Sequence, residues 1–156
     1  MAVFNNWDKV TDGWYIVCDS NKIKRNQVKS FDINEKHIAV FRDDHGVLTA
    51  LDGYCSHMGV DLGIGKVVDN KLRCYFHHWS YDQSGKCVHI PAQKEIPKKA
   101  CLKTFRTQEK YGLIWVNPCQ DVQSSVPEVP ELENEKQLYR VGASYIRSCH
   151  YHITMI

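Results

Sequence analysis

The chain has 156 residues, of which 43% are hydrophobic and 24% charged, an ordinary globular composition that excludes a disordered or collagen-like polymer. Twenty basic residues against eighteen acidic ones leave a formal charge of +2, too balanced for a dedicated nucleic-acid binder. The length fits one domain with a short appended segment, and the longest apolar runs, such as Trp14–Cys18 and Leu113–Val116, are far too short to span a bilayer. The opening MAVFNNWDKV has no basic stretch followed by an apolar one, so no secretory signal and a cytoplasmic setting are expected.

From Trp14 onward the chain reads as short strands separated by turn signals. WYIVC (14–18) is a continuous apolar run suited to a buried strand. HIAVFR (37–42) and VLTALD (47–52) flank Asp43-Asp44-His45-Gly46, a hairpin whose glycine supplies a positive φ. KLRC (71–74) follows the turn-like Asp69-Asn70, and SYDQSGKCVHI (80–90) holds a turn at Ser84-Gly85. LKTFRTQ (102–108) and LIWVN (113–117) bracket a third hairpin signal at Glu109–Gly112. Such spacing predicts an all-β fold, an antiparallel sandwich or barrel, with no amphipathic helix of several turns. Strand patterning assigns Trp14, Ile16, Ile38, Val40, Leu48, Leu51, Leu102, Phe105, Leu113 and Trp115 to the core.

Composition shifts after Pro118: residues 119–136, with prolines at 127 and 130, read as a polar, acidic linker or surface arm. Residues 137–156 resume a strand-like pattern. An unpaired strand exposes backbone donors and acceptors, so this one is expected to fold back or to pair with another subunit as a homo-oligomer contact.

Seven cysteines cannot complete an internal disulfide framework, which turns attention to metal binding. Cys55-Ser56-His57 and Cys74-Tyr75-Phe76-His77 form C-x-H and C-x2-H pairs separated by sixteen residues. Each pair falls in a loop at a strand end, and Gly59, Gly63 and Gly65 follow the first, where the backbone must turn tightly. Two thiolates and two imidazoles suit either tetrahedral zinc or a [2Fe–2S] cluster with cysteines on one iron and histidines on the other. Zinc modules pair like ligands locally, as C-x2-C and H-x3-H. Here the pairs are mixed, which favours a binuclear cluster gripped from two loops. A zinc-stabilised interaction module stays the alternative.

These residues resemble a Rieske domain, and the surroundings, from Asn6-Trp7 through YCSHMGVDLG, GKVV, CYFHHWSYDQSGKC and IP to YGLIWVNP, are similar to the N-terminal domain of Rieske non-haem iron oxygenases of the aromatic-ring-hydroxylating type. The similarity covers about residues 6–118, taken as a Rieske domain over 1–118 with an inserted two-loop cluster-binding subdomain. It implies one [2Fe–2S] cluster per chain on Cys55, His57, Cys74 and His77, with Trp79 and Tyr81 beside it. Rieske subunits of cytochrome bc complexes add a disulfide between the loops. Val60 and Phe76 occupy the matching positions here, so that bridge is ruled out. His78 departs from the glycine most relatives carry there and is expected to face solvent.

Two ferric ions, two sulfides, two thiolates and two neutral imidazoles sum to zero charge, so an added electron is accepted more readily than by a four-thiolate cluster. High-potential relatives place a serine hydroxyl where Trp79 stands, so a low potential is expected, near the roughly −150 mV end of the Rieske range. The resemblance implies single-electron transfer from a reductase or ferredoxin to an oxygenase-type iron centre. The family's second iron uses two histidines and a carboxylate, on a segment with no counterpart in this sequence. RSCHYHITMI resembles the first strand of that catalytic domain, and His150 and His152 read as ordinary strand residues. A truncated oxygenase subunit without independent activity is therefore the other reading. Lys94, Lys98, Lys99 and Lys103 make a mild basic patch, a solvated face or a surface that steers an acidic donor.

Overall fold

A computed structural model describes residues 13–33, 35–119 and 124–133. Contacts divide the chain into one unit of Asp12–Val126 and another of Met1–Thr11 with Pro127–Ile156. In the second, the described residues hold one 3-10 turn, Pro130–Leu132. The strand expected over 137–156 lies outside the described residues.

The larger unit is all-β and antiparallel. Its strands are β1 (Tyr15–Asp19), β2 (Gln27–Ile33), β3 (Lys36–Arg42), β4 (Leu48–Asp52), β5 (Lys66–Val68), β6 (Lys71–Arg73), β7 (Ser80–Tyr81), β8 (Cys87–His89), β9 (Thr104–Lys110) and β10 (Leu113–Asn117). Six form a sheet in the order β1-β10-β9-β4-β3-β2, and β5 to β8 form a four-stranded sheet in sequence order. Because β4 pairs with β9 through Ala50↔Phe105 and Leu51↔Thr104, everything between them is an insertion on the larger sheet.

Each sheet has its own apolar cluster, and β3 feeds both. Ile38 and Val40 join Ile23, Ile33, Ala50, Phe105, Ile114 and Val116, while Ala39 and Phe41 join Leu62, Leu72, Tyr81 and Leu102 on the insertion side. Successive side chains of a strand point to opposite faces, so a central strand with both faces covered needs apolar residues at every position. Tyr15 and Val17 of β1 and Phe31 and Ile33 of β2 reach the first cluster from the two sheet edges, so the sheet curls around it like a barrel.

The expected core set needs one correction. Ile16 is 53% exposed, and Trp14, Leu48, Leu113 and Trp115 are only half-buried. Ile16 pairs with Trp115 on the outer face, and the inner face of β10 is Ile114 and Val116. All of LIWV is apolar, so alternation could not reveal which parity faces inward. Strands β2 and β5 were also not anticipated; QVKSFDI mixes charges with apolar residues and forms an edge. The hairpin at Glu109–Gly112 turns on Tyr111 and Gly112, both left-handed at φ 58° and 70°, the type I′ geometry that matches strand twist. Within the segment read as a linker, Val126 is buried and the Ser124 carbonyl accepts a hydrogen bond of 2.8 Å from the Trp14 indole.

Candidate metal centre

The insertion carries two loops, residues 53–65 between β4 and β5 and residues 74–79 between β6 and β7. In the first, the Cys55 amide donates to the Val60 carbonyl and the Gly59 amide to the Cys55 carbonyl, both at 2.8 Å. That reversal places Gly59 at φ 69°, where a side chain would be strained. Gly63 lies against β2 so closely that a Cβ there would come within 2.0 Å of the Ser30 hydroxyl oxygen. In the second loop the Cys74 amide donates to the Trp79 carbonyl at 2.9 Å, closing a tight turn around Tyr75–His78. His78 is exposed, as expected, and left-handed at φ 61°, a conformation that glycine adopts without strain.

The four candidate ligands sort into two like pairs. Cys55 and Cys74 are both buried in the same apolar cluster. His57 and His77 are exposed, with ring centroids 4.7 Å apart edge to face. Among the described residues no three His, Cys, Asp or Glu side chains gather into a group able to hold a metal ion. The Trp79 indole lies flat on His57, 4.5 Å between centroids and 7° between planes, and Phe76 tilts against His77 at 3.9 Å.

The electrostatics around Cys55 suit an anionic sulfur. Burial pushes its thiol pKa up and the neighbouring Cys74 adds to that; opposing them, the Tyr81 phenol and the His57 amide hydrogen-bond to the sulfur. Tyr81 is fully buried with its oxygen 3.1 Å from Cys55 Sγ and 3.0 Å from Ser56 Oγ. Its own pKa is driven far up, by burial first and then by Cys55, so the phenol stays protonated and available to donate. A pair of buried thiols with donors aimed at sulfur, beside a pair of accessible imidazoles, is a donor set that fits a cluster with two sulfur and two nitrogen ligands. Ser56 was not singled out from sequence; its place beside Tyr81 depends on a contact twenty-five residues away.

A second group missed in the sequence braces the first loop. His37 on β3 sets Nδ1 2.6 Å from Asp32 and Nε2 3.1 Å from Asp61, and its ring stacks on Tyr54 at 4.5 Å. Asp61 also accepts from Ser30 Oγ and from the Gly63 amide at 2.7 Å. Burial lowers the His37 pKa, but the two carboxylates outweigh it and the net shift is upward. Asp61 is shifted down: its desolvation is overcome by Ser30, Gly63 and His37. His45 lies 3.3 Å from the Asn70 side chain, and His89 is exposed. Cys149, His150 and His152 lie outside the described residues.

Comparison with known proteins agrees with this geometry. The chain is 34% identical over 144 residues to cholesterol 7-desaturase of Ciona intestinalis, a match covering 89% of this chain and 30% of that protein. It is 33% identical to the oxygenase component of 3-ketosteroid-9-alpha-monooxygenase from Mycolicibacterium smegmatis, covering 80% of this chain and 34% of that one. The crystal structure of apo dicamba monooxygenase superposes with a TM-score of 0.70 at 26% identity, over 75% of this chain and 37% of that one. The chain thus spans about a third of the length of these relatives. Residues 13–106 match the Rieske [2Fe-2S] domain family. Two Cys–His loops on a four-stranded insertion, a barrel-like sheet beneath them and that match together show that the chain belongs to the Rieske [2Fe–2S] domain family, with relatives among the Rieske oxygenases.

Proposed function

We propose that Cys55 and Cys74 hold one iron and His57 and His77 the other of a single [2Fe–2S] cluster, and that the chain relays single electrons from a reductase or ferredoxin to an oxygenase-type iron centre. The observation that carries this reading is the sorting of the donors into a buried thiol pair and an exposed imidazole pair on two facing loops. The cluster supplies one-electron chemistry. The protein's own groups do the rest. The apolar cluster anchors both cysteines, Tyr81 and the His57 amide hold donors on Cys55, and Trp79 fixes the plane of His57. Met58, Ile64, Tyr75 and Phe76 are exposed apolar side chains of the same loops, more than half accessible, and would exclude water where an acceptor docks. Trp79 supports a low potential, since its indole brings no hydroxyl to the cluster. Cys18, Cys87 and Cys101 are in no disulfide, which suits a reducing compartment such as the cytoplasm.

Metal analysis tests the proposal: about two irons and two acid-labile sulfides per chain are expected, against one zinc for an interaction module. Protein that folds fully without iron or colour overturns it. A second reading is favoured by the coverage, 30% of the desaturase and 37% of dicamba monooxygenase: the domain then serves a longer oxygenase subunit and has no independent activity. Turnover by a separately supplied oxygenase, driven through this chain, decides for the relay; reduction without onward transfer decides for the subunit.

A further inference from the structure

The first cluster loop has a narrow neck, and one imidazole lies across it. Gly53 and Tyr54 enter the loop and Asp61 and Leu62 leave it, joined by the bridge Tyr54↔Asp61 and by the Leu62 amide on the Gly53 carbonyl at 2.7 Å. Cys55 and His57 stand in the turn beyond that neck, where the Cys55 amide meets the Val60 carbonyl. The neck rests on β3: the Gly53 amide donates to the His37 carbonyl at 2.8 Å, and a Cβ on Gly53 would come within 2.3 Å of the His37 ring. Asp32 of β2 is the cross-strand partner of His37 and faces Nδ1 at 2.6 Å. Asp61, on the far side of the neck, faces Nε2 at 3.1 Å.

Both ring nitrogens therefore point at carboxylate oxygens. Only the imidazolium carries a proton for each; a neutral ring must turn a lone pair towards one of them, and that contact becomes repulsive. The shorter bond to Asp32 keeps the remaining proton, so the bond to Asp61 is the one that fails. Ser30 and the Gly63 amide still hold Asp61, so the neck loosens without parting. The charges acting on the ring are these two carboxylates. Tyr54 from the loop covers its face, Gly53 brings no charge from the end of β4, and the Lys36 amine is turned away to the Pro118 carbonyl at 2.7 Å. Burial opposes the ring's charge and the carboxylates prevail, so the imidazolium persists above the ordinary histidine range.

We propose that His37 is a positioning residue for the cluster and works as a proton-operated latch. With both nitrogens protonated it holds the neck shut behind Cys55 and His57 and slows the loss of iron. When it gives up one proton the neck loosens and the cluster becomes exchangeable. The inference rests on the cluster assignment proposed above and adds a means of regulating it.

The test follows bleaching of the iron-loaded full chain by excess EDTA between about pH 5.5 and 9, in the parent, His37→Gln and Asp32→Asn. Effects of pH on the chelator and on the cluster's own ligands are common to the three proteins and cancel in the ratio of their rates. At the acid end the parent should lose iron about fivefold more slowly than His37→Gln, the factor for one net hydrogen bond. At the alkaline end the two should agree within about twofold, by the same scale. The Asp32 side chain is 83% exposed, so Asp32→Asn leaves the packing alone. It removes one of the two charges that favour the imidazolium, so the step in the profile should move to lower pH. A ring that only fills space gives neither the step nor its movement. A ratio of parent to His37→Gln that is constant with pH, or a step that Asp32→Asn leaves in place, overturns the latch. Should His37→Gln take up no iron, the position of the step in Asp32→Asn against the parent decides alone. Fully loaded protein with a constant ratio removes the latch and leaves the cluster assignment standing; a parent chain that takes up no iron–sulfur cluster removes both.

Discussion

Replacing Tyr81 with phenylalanine removes one oxygen from a site that is otherwise closed. The ring is fully buried, so phenylalanine fills the same volume and no water enters to replace the hydroxyl. What disappears is the donor 3.1 Å from Cys55 Sγ, together with the anchor for Ser56 Oγ at 3.0 Å. With sulfur as the acceptor, the hydroxyls run in series: Ser56 donates to the phenol oxygen and the phenol donates to sulfur. A donor on sulfur favours the state with more negative charge, which is the reduced one. Its loss therefore lowers the reduction potential. A net hydrogen bond is worth about 1 kcal/mol, which for a one-electron couple is about 40 mV. Ser56→Ala should lower the potential by a smaller amount, about 10–20 mV, because it only polarises the phenol. The phenol's strongly raised pKa means that the Tyr81→Phe shift should not depend on pH anywhere the protein is folded. Redox titration followed by electron paramagnetic resonance, at unchanged iron content, measures it. A potential that stays within about 10 mV of the parent or rises would refute the assignment of Tyr81 as donor to Cys55.

Three further outcomes follow from the loops and their supports. The His37 clamp has a pH window: with its pKa raised above 6.5, its contribution is complete below 6.5 and fades as pH climbs through the raised value. Asp61, shifted below 3.8, contributes above that value and loses its share as pH falls through its lowered one. Amide protection in residues 53–63, corrected for intrinsic base-catalysed exchange, should therefore fall as pH climbs through the raised His37 value in the parent protein and lose that fall in His37→Gln; equal protection profiles for the two would exclude the clamp. His78→Gly removes a left-handed non-glycine residue and should stabilise by about 0.5–1 kcal/mol after the entropic cost of glycine, read as a rise in the melting temperature of iron-loaded protein. Gly63→Ala drives a Cβ into Ser30 and should cost about 1–3 kcal/mol in chemical denaturation; a neutral result would show that β2 and the first loop part easily.

Local chemistry was readable along the chain wherever neighbours in sequence carry it. The C-x-H and C-x2-H spacings disclosed the candidate ligands, and turn residues such as Gly46 and Gly112 disclosed hairpins, because each depends on a few adjacent backbone angles. The resemblance of the flanking segments named Tyr81 and Trp79 as neighbours of the site, but not what they touch. That His57 stacks on Trp79, that Ser56 reaches the phenol, and that Asp32 and Asp61 close on His37 from two elements are consequences of packing between distant segments. The inward parity of β10 belongs to the same class: Leu113 through Val116 are uniformly apolar, so the choice fell to the register with β1 and β9. Periodicity can report a face only when the two faces differ in polarity. Contacts across many residues cost chain entropy and form only once the sheets have assembled, which is why they leave no mark on any short stretch of sequence.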